Sequence, residues 1–124
     1  MIHGLRTIKY SVSDIEKAKA WYGAVLGKAP YFDEPFYVGF NVGGFELGLD
    51  PDPGEDTSGM GGVVAYWGVD DVDAELERLV GLGAAVRHPV QDVGDDIRLA
   101  IVADPFGNSF GVIENPHFKI EEVR

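Results

Sequence analysis

The sequence predicts an α+β domain made of two tandem β-α-β-β-β units, for three reasons. A strand followed by a helix is indicated twice, once near the start of the chain and once after its midpoint. The 17 glycines among 124 residues favour turns and strands over a helical bundle. The two units also align in three segments: residues 12–15 with 69–72, residues 26–29 with 82–85, and residues 45–49 with 110–114.

The first unit begins with a strand over residues 6–12. Apolar and polar side chains alternate along it, which predicts one face toward the core and one polar face. The polar face carries Thr7, Lys9 and Ser11.

A helix follows over residues 13–27, where apolar residues recur every three or four positions. Ser13 and Glu16 have the spacing of a capping box, and Gly27 is placed to end the helix. A short strand and a hairpin that turns at Gly43 and Gly44 complete the unit.

The chain is predicted to be one domain over residues 1–124, with repeat halves at about 6–49 and 62–114. The segment between them, residues 50–61, is a linker by composition.

The second unit repeats the order of the first. A strand over residues 63–69 leads to a helix that Asp70 or Asp71 would cap. Three strands follow, and a turn at residues 104–108 joins the last two.

The composition excludes several classes of function. The chain has no cysteine, so it has no disulfide, thiolate nucleophile or zinc–thiolate site, and this suits the reducing cytoplasm. Its formal net charge of -11 disfavours binding to nucleic acid. The first residues lack a basic head followed by an apolar run, so we expect no signal peptide, and no apolar run of the sequence is long enough to span a membrane. We therefore expect a cytoplasmic protein with no nucleic-acid or membrane partner.

Two motifs, SVSDIEKAKAWYGAVLG and ADPFGNSFGVIENP, stand in these duplicated units and resemble the vicinal oxygen chelate superfamily. That superfamily includes glyoxalase I, bleomycin-resistance proteins, extradiol dioxygenases and methylmalonyl-CoA epimerase. The resemblance covers residues 6–116 and implies curved mixed sheets that form a ligand cup, in a homodimer.

The resemblance also implies where metal ligands would stand. Metal-using members carry His or Glu at four positions, which correspond here to Thr7, Glu46, Val64 and Gly111. Only Glu46 is a competent ligand for a divalent ion, which needs several oxygen or imidazole donors. No cofactor is therefore expected, although a weakly held divalent metal remains an alternative.

Glu46 is the candidate catalytic residue. By alternation it shares a face with Gly44 and Gly48, and two glycines beside a carboxylate predict open space around it. Glu46 would serve as a general base or as an anchor for a cationic group. The alternative is a solvated strand residue, or one paired with a nearby cation.

The other candidate ligand-binding residues lie on the first strand of each unit. They are Thr7, Lys9, Ser11, Val64 and Tyr66, with Gly111 on the last strand. Lys9 would bind a substrate carboxylate or neutralise Glu46, or else is an ordinary surface lysine, and Tyr66 would stack on a ligand ring. Four further aromatic residues are candidates for pocket walls or for the core, as is usual for strand aromatics: Phe36, Tyr37, Phe40 and Phe106.

The histidines do not form a metal motif, because His3, His88 and His117 are far apart in sequence. A rebuilt metal site using His88 or His117 with Glu46 is an alternative. The sequence has no nucleophile elbow, phosphate loop or dinucleotide fingerprint.

The favoured function is binding of a small organic molecule in a dimer cavity without a tightly bound metal, as in the bleomycin-resistance branch. The alternative is a lyase or isomerase like glyoxalase I that acts on a small carbonyl or thiohemiacetal, with Glu46 as base or metal ligand. A regulatory or immunity module remains a third hypothesis, because fold does not fix function.

Overall fold

The structure is a computed structural model that describes residues 1–51 and 62–123. Its strands and α-helices, in chain order, are β1 (Ile2–Ser11), α1 (Ile15–Leu26), β2 (Phe32–Glu34), β3 (Tyr37–Val42), β4 (Phe45–Asp50), β5 (Val63–Val69), α2 (Val72–Gly81), β6 (Ala85–Asp92), β7 (Arg98–Ala103) and β8 (Ser109–Glu114), and a short 3₁₀ helix (Ile120–Glu122) follows. This order confirms the two β-α-β-β-β units. Asp50, which was assigned to the linker, ends β4, and residues 52–61 of that linker lie outside the described residues.

The eight strands form one mixed, curved sheet, as predicted, with the order β2-β3-β4-β1-β5-β8-β7-β6. In each unit the first strand pairs in parallel with the last, so β1 lies beside β4 and β5 beside β8. The two units join where β1 and β5 pair antiparallel. The first strands of both units therefore stand at the centre of the sheet.

The helix ends are set by local capping. Asp14, not the predicted capping box of Ser13 and Glu16, caps α1: its side chain accepts a hydrogen bond from the backbone N–H of Lys17 at 3.1 Å. Asp14 has extended backbone angles and is the last residue before the helix, which is the position that a capping side chain requires. Gly27 ends α1 as predicted, with φ of 69°.

The second helix is capped in the same way. Of the two candidate residues, Asp71 is the cap of α2, because its side chain accepts from the backbone N–H of Ala74 at 3.1 Å. The two helices thus begin at equivalent places in the two units.

Both helices pack on one face of the sheet. A cluster centred on Val38, Phe40 and Leu49 packs against α1. A second cluster, which includes Val69, Ala100 and Val112, packs with α2. Because side chains alternate along a strand, the residues between these core positions point to the opposite face, which we call the helix-free face.

The four aromatic residues predicted as pocket walls have different positions. Phe40 is fully buried in the cluster beneath α1. Phe36 and Phe106 are largely exposed in the single chain, so neither is a core residue. Only Tyr37 lies on the helix-free face close to the predicted site residues.

The described part of the chain contains no helix that is both long enough and apolar enough to cross a lipid bilayer.

Candidate functional site

Glu46 lies at the centre of a polar cluster on the helix-free face. The parallel register of β1 and β4 places Thr7 directly beside it. The Thr7 hydroxyl donates to Glu46 Oε1 at 3.1 Å. The glutamate is half-buried, so its carboxylate is partly shielded from water.

Two tyrosines also donate to this carboxylate. Tyr37, the first residue of β3, donates its hydroxyl to Glu46 Oε1 at 2.8 Å. Tyr31, just before β2, donates its hydroxyl to Oε2. We call Thr7, Tyr31, Tyr37 and Glu46 the Glu46 cluster. Every hydrogen bond to the carboxylate in this cluster comes from a neutral hydroxyl.

The environment keeps both tyrosines protonated. Burial of the hydroxyl is the largest cause, and the negative charge of Glu46 and the hydrogen bond to it add to the effect, so the pKa of Tyr31 is raised above its ordinary value. The pKa of Tyr37 is raised further, because it is the more buried of the two. Both side chains therefore donate hydrogen bonds to Glu46 at neutral pH.

The predicted open space beside Glu46 is occupied, and that prediction is wrong. A Cβ at Gly48 would overlap the Tyr37 hydroxyl. A Cβ at Gly39, which pairs with Gly48, would meet Glu46 Oε2 at 2.6 Å and Tyr31 Cε1 at 3.2 Å. These glycines make room for side chains from neighbouring strands.

Gly111 has the same role in the second unit. Tyr66 is its partner in β5, and a Cβ at Gly111 would lie 2.6 Å from Tyr66 Cδ1. Tyr66 also pairs with Thr7 across the junction of the two units, whereas Val64 pairs with Lys9. Tyr66 and Val64 are buried together in an apolar cluster on this face. The ring thus fills the space in which a Gly111 side chain would stand.

Lys9 is neither exposed nor paired with Glu46. Its ammonium lies 3.5 Å from Asp50 Oδ2 and 5.7 Å from the centre of the Tyr66 ring. The side chain is only 10% exposed, so the interpretation as an ordinary surface lysine is wrong. Ser11 stands at the end of β1, where its backbone N–H donates to the carbonyl of Gly62 at 2.8 Å.

The donor set does not fit a divalent ion. Four residues stand where metal-using members of the superfamily carry ligands: Thr7, Glu46, Val64 and Gly111. Val64 and Gly111 have no side-chain atom that could bind a metal, and Glu46 already accepts hydrogen bonds from three hydroxyls. Among residues 1–51 and 62–123, no three His, Asp or Glu side chains are grouped so that they could hold a metal. A ring of oxygen or imidazole donors, which such ions require, is not formed by these residues.

The histidines have separate environments, and none of them belongs to a group of three or more potential metal ligands in the part of the chain that is described. His3 contacts Asp70 at 2.9 Å, and His117 Nε2 contacts the carbonyl of Asp95 at 2.8 Å. His88 lies on β6, and its Nδ1 is buried without a hydrogen-bond partner in the part of the chain that is described.

The sequence interpretation missed the association of Tyr31 and Tyr37 with Glu46. Tyr37 was considered only as a pocket wall or a core residue, and Tyr31 was not considered. The available signal was the pairing of tyrosines with glycines: alternation places Tyr37 on the face of Gly39, and a glycine in a strand often marks a close approach by another group.

The fold and the positions of these residues define an α+β protein of the vicinal oxygen chelate type. Residues 4–112 match the family model described as the Glyoxalase/Bleomycin resistance protein/Dioxygenase superfamily. The chain belongs to this superfamily, as the sequence motifs indicated.

The chain is similar to two curated proteins. It is 30% identical over 113 residues to CFP32 of Mycobacterium tuberculosis and to CFP32 of Mycobacterium bovis, whose names describe a candidate glyoxylase. The matched segment covers 85% of this chain and 43% of each relative. The chain therefore spans less than half of their length.

Solved structures share the fold. A methylmalonyl-CoA epimerase of Streptomyces coelicolor is 17% identical, with a TM-score of 0.77 and coverage of 94% of this chain and 99% of that one. A glyoxalase/bleomycin resistance protein/dioxygenase superfamily member from Vibrio splendidus is 20% identical, with a TM-score of 0.67. The match covers 89% of this chain and 97% of the Vibrio protein. At these identities the likeness concerns the fold alone.

Proposed function

We propose that this protein binds a small organic molecule on the helix-free face, without a tightly bound metal, as a cytoplasmic homodimer. The observation that carries the proposal is the Glu46 cluster. Glu46 is the only carboxylate at the four positions where metal-using members of the superfamily carry ligands. It accepts hydrogen bonds from three neutral hydroxyls and is not grouped with other metal-ligating side chains in the described residues.

The argument against a tight metal site is one of donor number. A divalent ion such as Mg²⁺ or Ca²⁺ is held by about six or more oxygen donors, several of them charged or from water. Here Glu46 would be the only anionic ligand, and a metal would have to displace the Tyr37 hydroxyl from Oε1. A buried hydroxyl left without its acceptor costs free energy, so the exchange is unfavourable.

Ligand binding is supported by the chemistry of the helix-free face. The polar Glu46 cluster includes the exposed aromatic residue Tyr31 and stands beside the buried apolar cluster that contains Val64 and Tyr66. Binding sites for small molecules typically combine an apolar lining with a few convergent polar groups. The family resemblance supports the dimer part of the proposal, and large exposed apolar side chains such as Trp21 and Phe36 are compatible with it.

Equilibrium dialysis against Zn²⁺, Ni²⁺ and Mn²⁺, followed by elemental analysis, tests the absence of a tight metal. We expect far less than one ion per chain, and the same result for Glu46→Gln and for the charge-matched control Glu34→Gln on the exposed strand β2. A stoichiometric ion that is lost in Glu46→Gln and retained in Glu34→Gln would overturn the proposal.

The second candidate is a metal-free lyase or isomerase in which Glu46 acts as general base. It is favoured by the contact between Oε2 of Glu46 and the hydroxyl of the exposed residue Tyr31, because a substrate that displaced this hydroxyl would reach the carboxylate. The glyoxylase names of the curated relatives are in keeping with it. The test is turnover of the methylglyoxal–glutathione thiohemiacetal with and without a chelator. Chelator-resistant turnover that disappears in Glu46→Gln would establish this function in place of simple binding.

A further inference from the structure

The carboxylate of Glu46 forms no salt bridge with a basic side chain of the described residues. Its three polar contacts are hydroxyl groups, and none of the ion pairs in residues 1–51 and 62–123 involves it. Charged groups that are removed from water are normally paired with an opposite charge, because desolvation costs more than neutral hydrogen bonds return. The half-buried carboxylate is therefore well suited to receive a positive charge from outside the chain.

The surroundings of Glu46 favour an organic cation over a metal ion. The aromatic rings of Tyr31 and Tyr37 stand next to the carboxylate, with Gly39 and Gly48 allowing their close approach. An ammonium or amidinium group needs only one carboxylate and the faces of nearby aromatic rings. The same residues provide too few donors for a divalent ion.

The chain itself places an ammonium group in such an environment on the same face. The Lys9 ammonium lies 3.5 Å from the Asp50 carboxylate and 5.7 Å from the centre of the Tyr66 ring. A carboxylate and a tyrosine ring are thus among the contacts of a nearly buried cation on the face that carries the Glu46 cluster.

Access to Glu46 passes Tyr31. Its side chain is 64% exposed, and its backbone N–H is fixed to the carbonyl of Gly39 at 3.0 Å. Of the three hydroxyls in the cluster, that of Tyr31 is attached to the most exposed residue, and it is the one that contacts Oε2. An N–H donor arriving from solvent would therefore replace the Tyr31 hydroxyl at Oε2, while Thr7 and Tyr37 continue to hold Oε1.

We propose that Glu46, Tyr31 and Tyr37 form a subsite for the cationic head group of an organic amine or amidine. This inference rests on the proposed function and adds a ligand class to it. The carboxylate binds the N–H groups, the tyrosine rings cover the cation, and Tyr31 moves aside when the ligand enters.

The test compares two probes of the same shape, benzamidine, which is cationic, and benzamide, which is neutral. Each is titrated into isotopically labelled full-length protein, and backbone amide shifts are followed by NMR. We expect benzamidine to shift resonances around Glu46, Tyr31 and Gly48, and to bind at least about tenfold more tightly than benzamide, the difference expected for a charge-assisted contact. Equal affinity of the two probes would overturn the inference.

Three single variants show which residues are responsible for benzamidine binding. Glu46→Gln is expected to lose about tenfold in benzamidine affinity, whereas Glu77→Gln, which removes the same charge from the exposed side of α2, keeps it. Tyr31→Phe retains the ring and removes the competing hydroxyl, so it should bind benzamidine equally or more tightly. Undiminished binding by Glu46→Gln, a loss in Tyr31→Phe, or no binding to the native chain would each contradict the inference.

The outcomes separate this inference from the proposed function. If benzamide binds on the helix-free face as well as benzamidine does, the ligand class is wrong while small-molecule binding stands. If dialysis finds a stoichiometric metal bound through Glu46, the proposed function itself fails, whatever the result with the two probes.

Discussion

The hydroxyl of Tyr37 reaches Oε1 of Glu46 at 2.8 Å from the space that a side chain at Gly48 would fill. Three strands take part in this arrangement, because Thr7 contributes from β1, Glu46 from β4 and Tyr37 from β3. The glycine is what allows a bulky hydroxyl-bearing ring to reach the carboxylate across the sheet. The contacts at these glycines and tyrosines, together with those of the turn before β8, lead to five predictions.

Gly48→Ala should destabilise the fold by about 1–3 kcal/mol, the usual cost of forcing an extra methyl group into a packed site. The new Cβ overlaps the Tyr37 hydroxyl and pushes the ring away from Glu46. Urea denaturation measures the change in free energy of unfolding. The matched control is Gly81→Ala at the end of α2, where a Cβ meets nothing within 4 Å and stability should stay the same or rise slightly. Equal effects of the two substitutions would contradict the packing argument.

Gly111→Ala should be destabilising by a similar amount, about 1–3 kcal/mol, because its Cβ would lie 2.6 Å from Tyr66 Cδ1 and 3.0 Å from the carbonyl oxygen of Ala65. A double-mutant cycle with Tyr66→Val, which lacks the δ carbon, isolates the contact. Thermal or urea unfolding of the four proteins should show that Gly111→Ala costs less in the Tyr66→Val background. If the effects of the two substitutions on the free energy of unfolding are strictly additive, contact with the Tyr66 ring is not the reason that Gly111→Ala is destabilising.

Tyr31 and Tyr37 should stay protonated in the folded protein at pH values where an ordinary tyrosine, with a pKa of about 10, ionises. Burial of the hydroxyls is the main cause of the raised pKa of each residue, and the charge of Glu46 adds to it. Absorbance at the tyrosinate wavelength measures this. In the folded state, the double variant Tyr31→Phe/Tyr37→Phe should show the same increase in tyrosinate absorbance near pH 10 as the native protein. When both proteins are unfolded, the increase should be smaller in the double variant, which has two fewer tyrosines. A smaller rise in the folded variant would contradict the raised pKa values.

The same shifts fix the direction of a pH effect on stability. Because the folded-state pKa of each tyrosine lies above that of the unfolded chain, the folded state holds protons that the unfolded state has lost. The free energy of unfolding should therefore be undiminished below about pH 10 and fall as the pH rises beyond it. Tyr31→Phe/Tyr37→Phe should flatten this alkaline decline, as followed by urea denaturation at several pH values. Glu46→Gln should weaken the decline only in part, since burial is the larger cause.

The turn before β8 provides the fifth prediction. The Asp104 carboxylate accepts from the Asn108 side chain at 2.9 Å and from the backbone N–H groups of Phe106 and Asn108, each at 2.8 Å. These bonds, led by that from the Asn108 side chain, lower the pKa of Asp104. Asn108→Ala should raise the pKa of Asp104 toward its ordinary value of about 3.9 in a carbon-13 NMR titration. Ionised Asp104 therefore stabilises the folded protein at pH values above about 3.9. This stabilisation is lost as the pH falls through the lower pKa that Asp104 has in the folded state. An unchanged titration in Asn108→Ala would show that its side chain has no part in the shift.

The order of strands and helices could be predicted from the sequence, because it depends on local signals. Alternation along residues 6–12, helical periodicity before Gly27 and the duplicated motifs each act within a few residues of the chain. Even the error at the start of α1 was small: Asp14 and Ser13 are both good caps, and the local backbone decides between them. The superfamily and the candidate Glu46 were likewise accessible from these motifs.

The partners of Glu46 were decided only by the tertiary structure. A glycine in a sequence indicates that a Cβ is missing, but it does not say which neighbouring strand supplies the atoms that fill the space. Strand register decides that Tyr37 fills the space at Gly48 and that Tyr66 fills the space at Gly111. The register between β1 and β5 also shifts between Leu5 and Thr7, which local sequence patterns do not reveal. Cross-strand register is a long-range property, so the sequence determined that a single carboxylate remained at the family positions, and the assembled sheet decided that neutral hydroxyls would surround it.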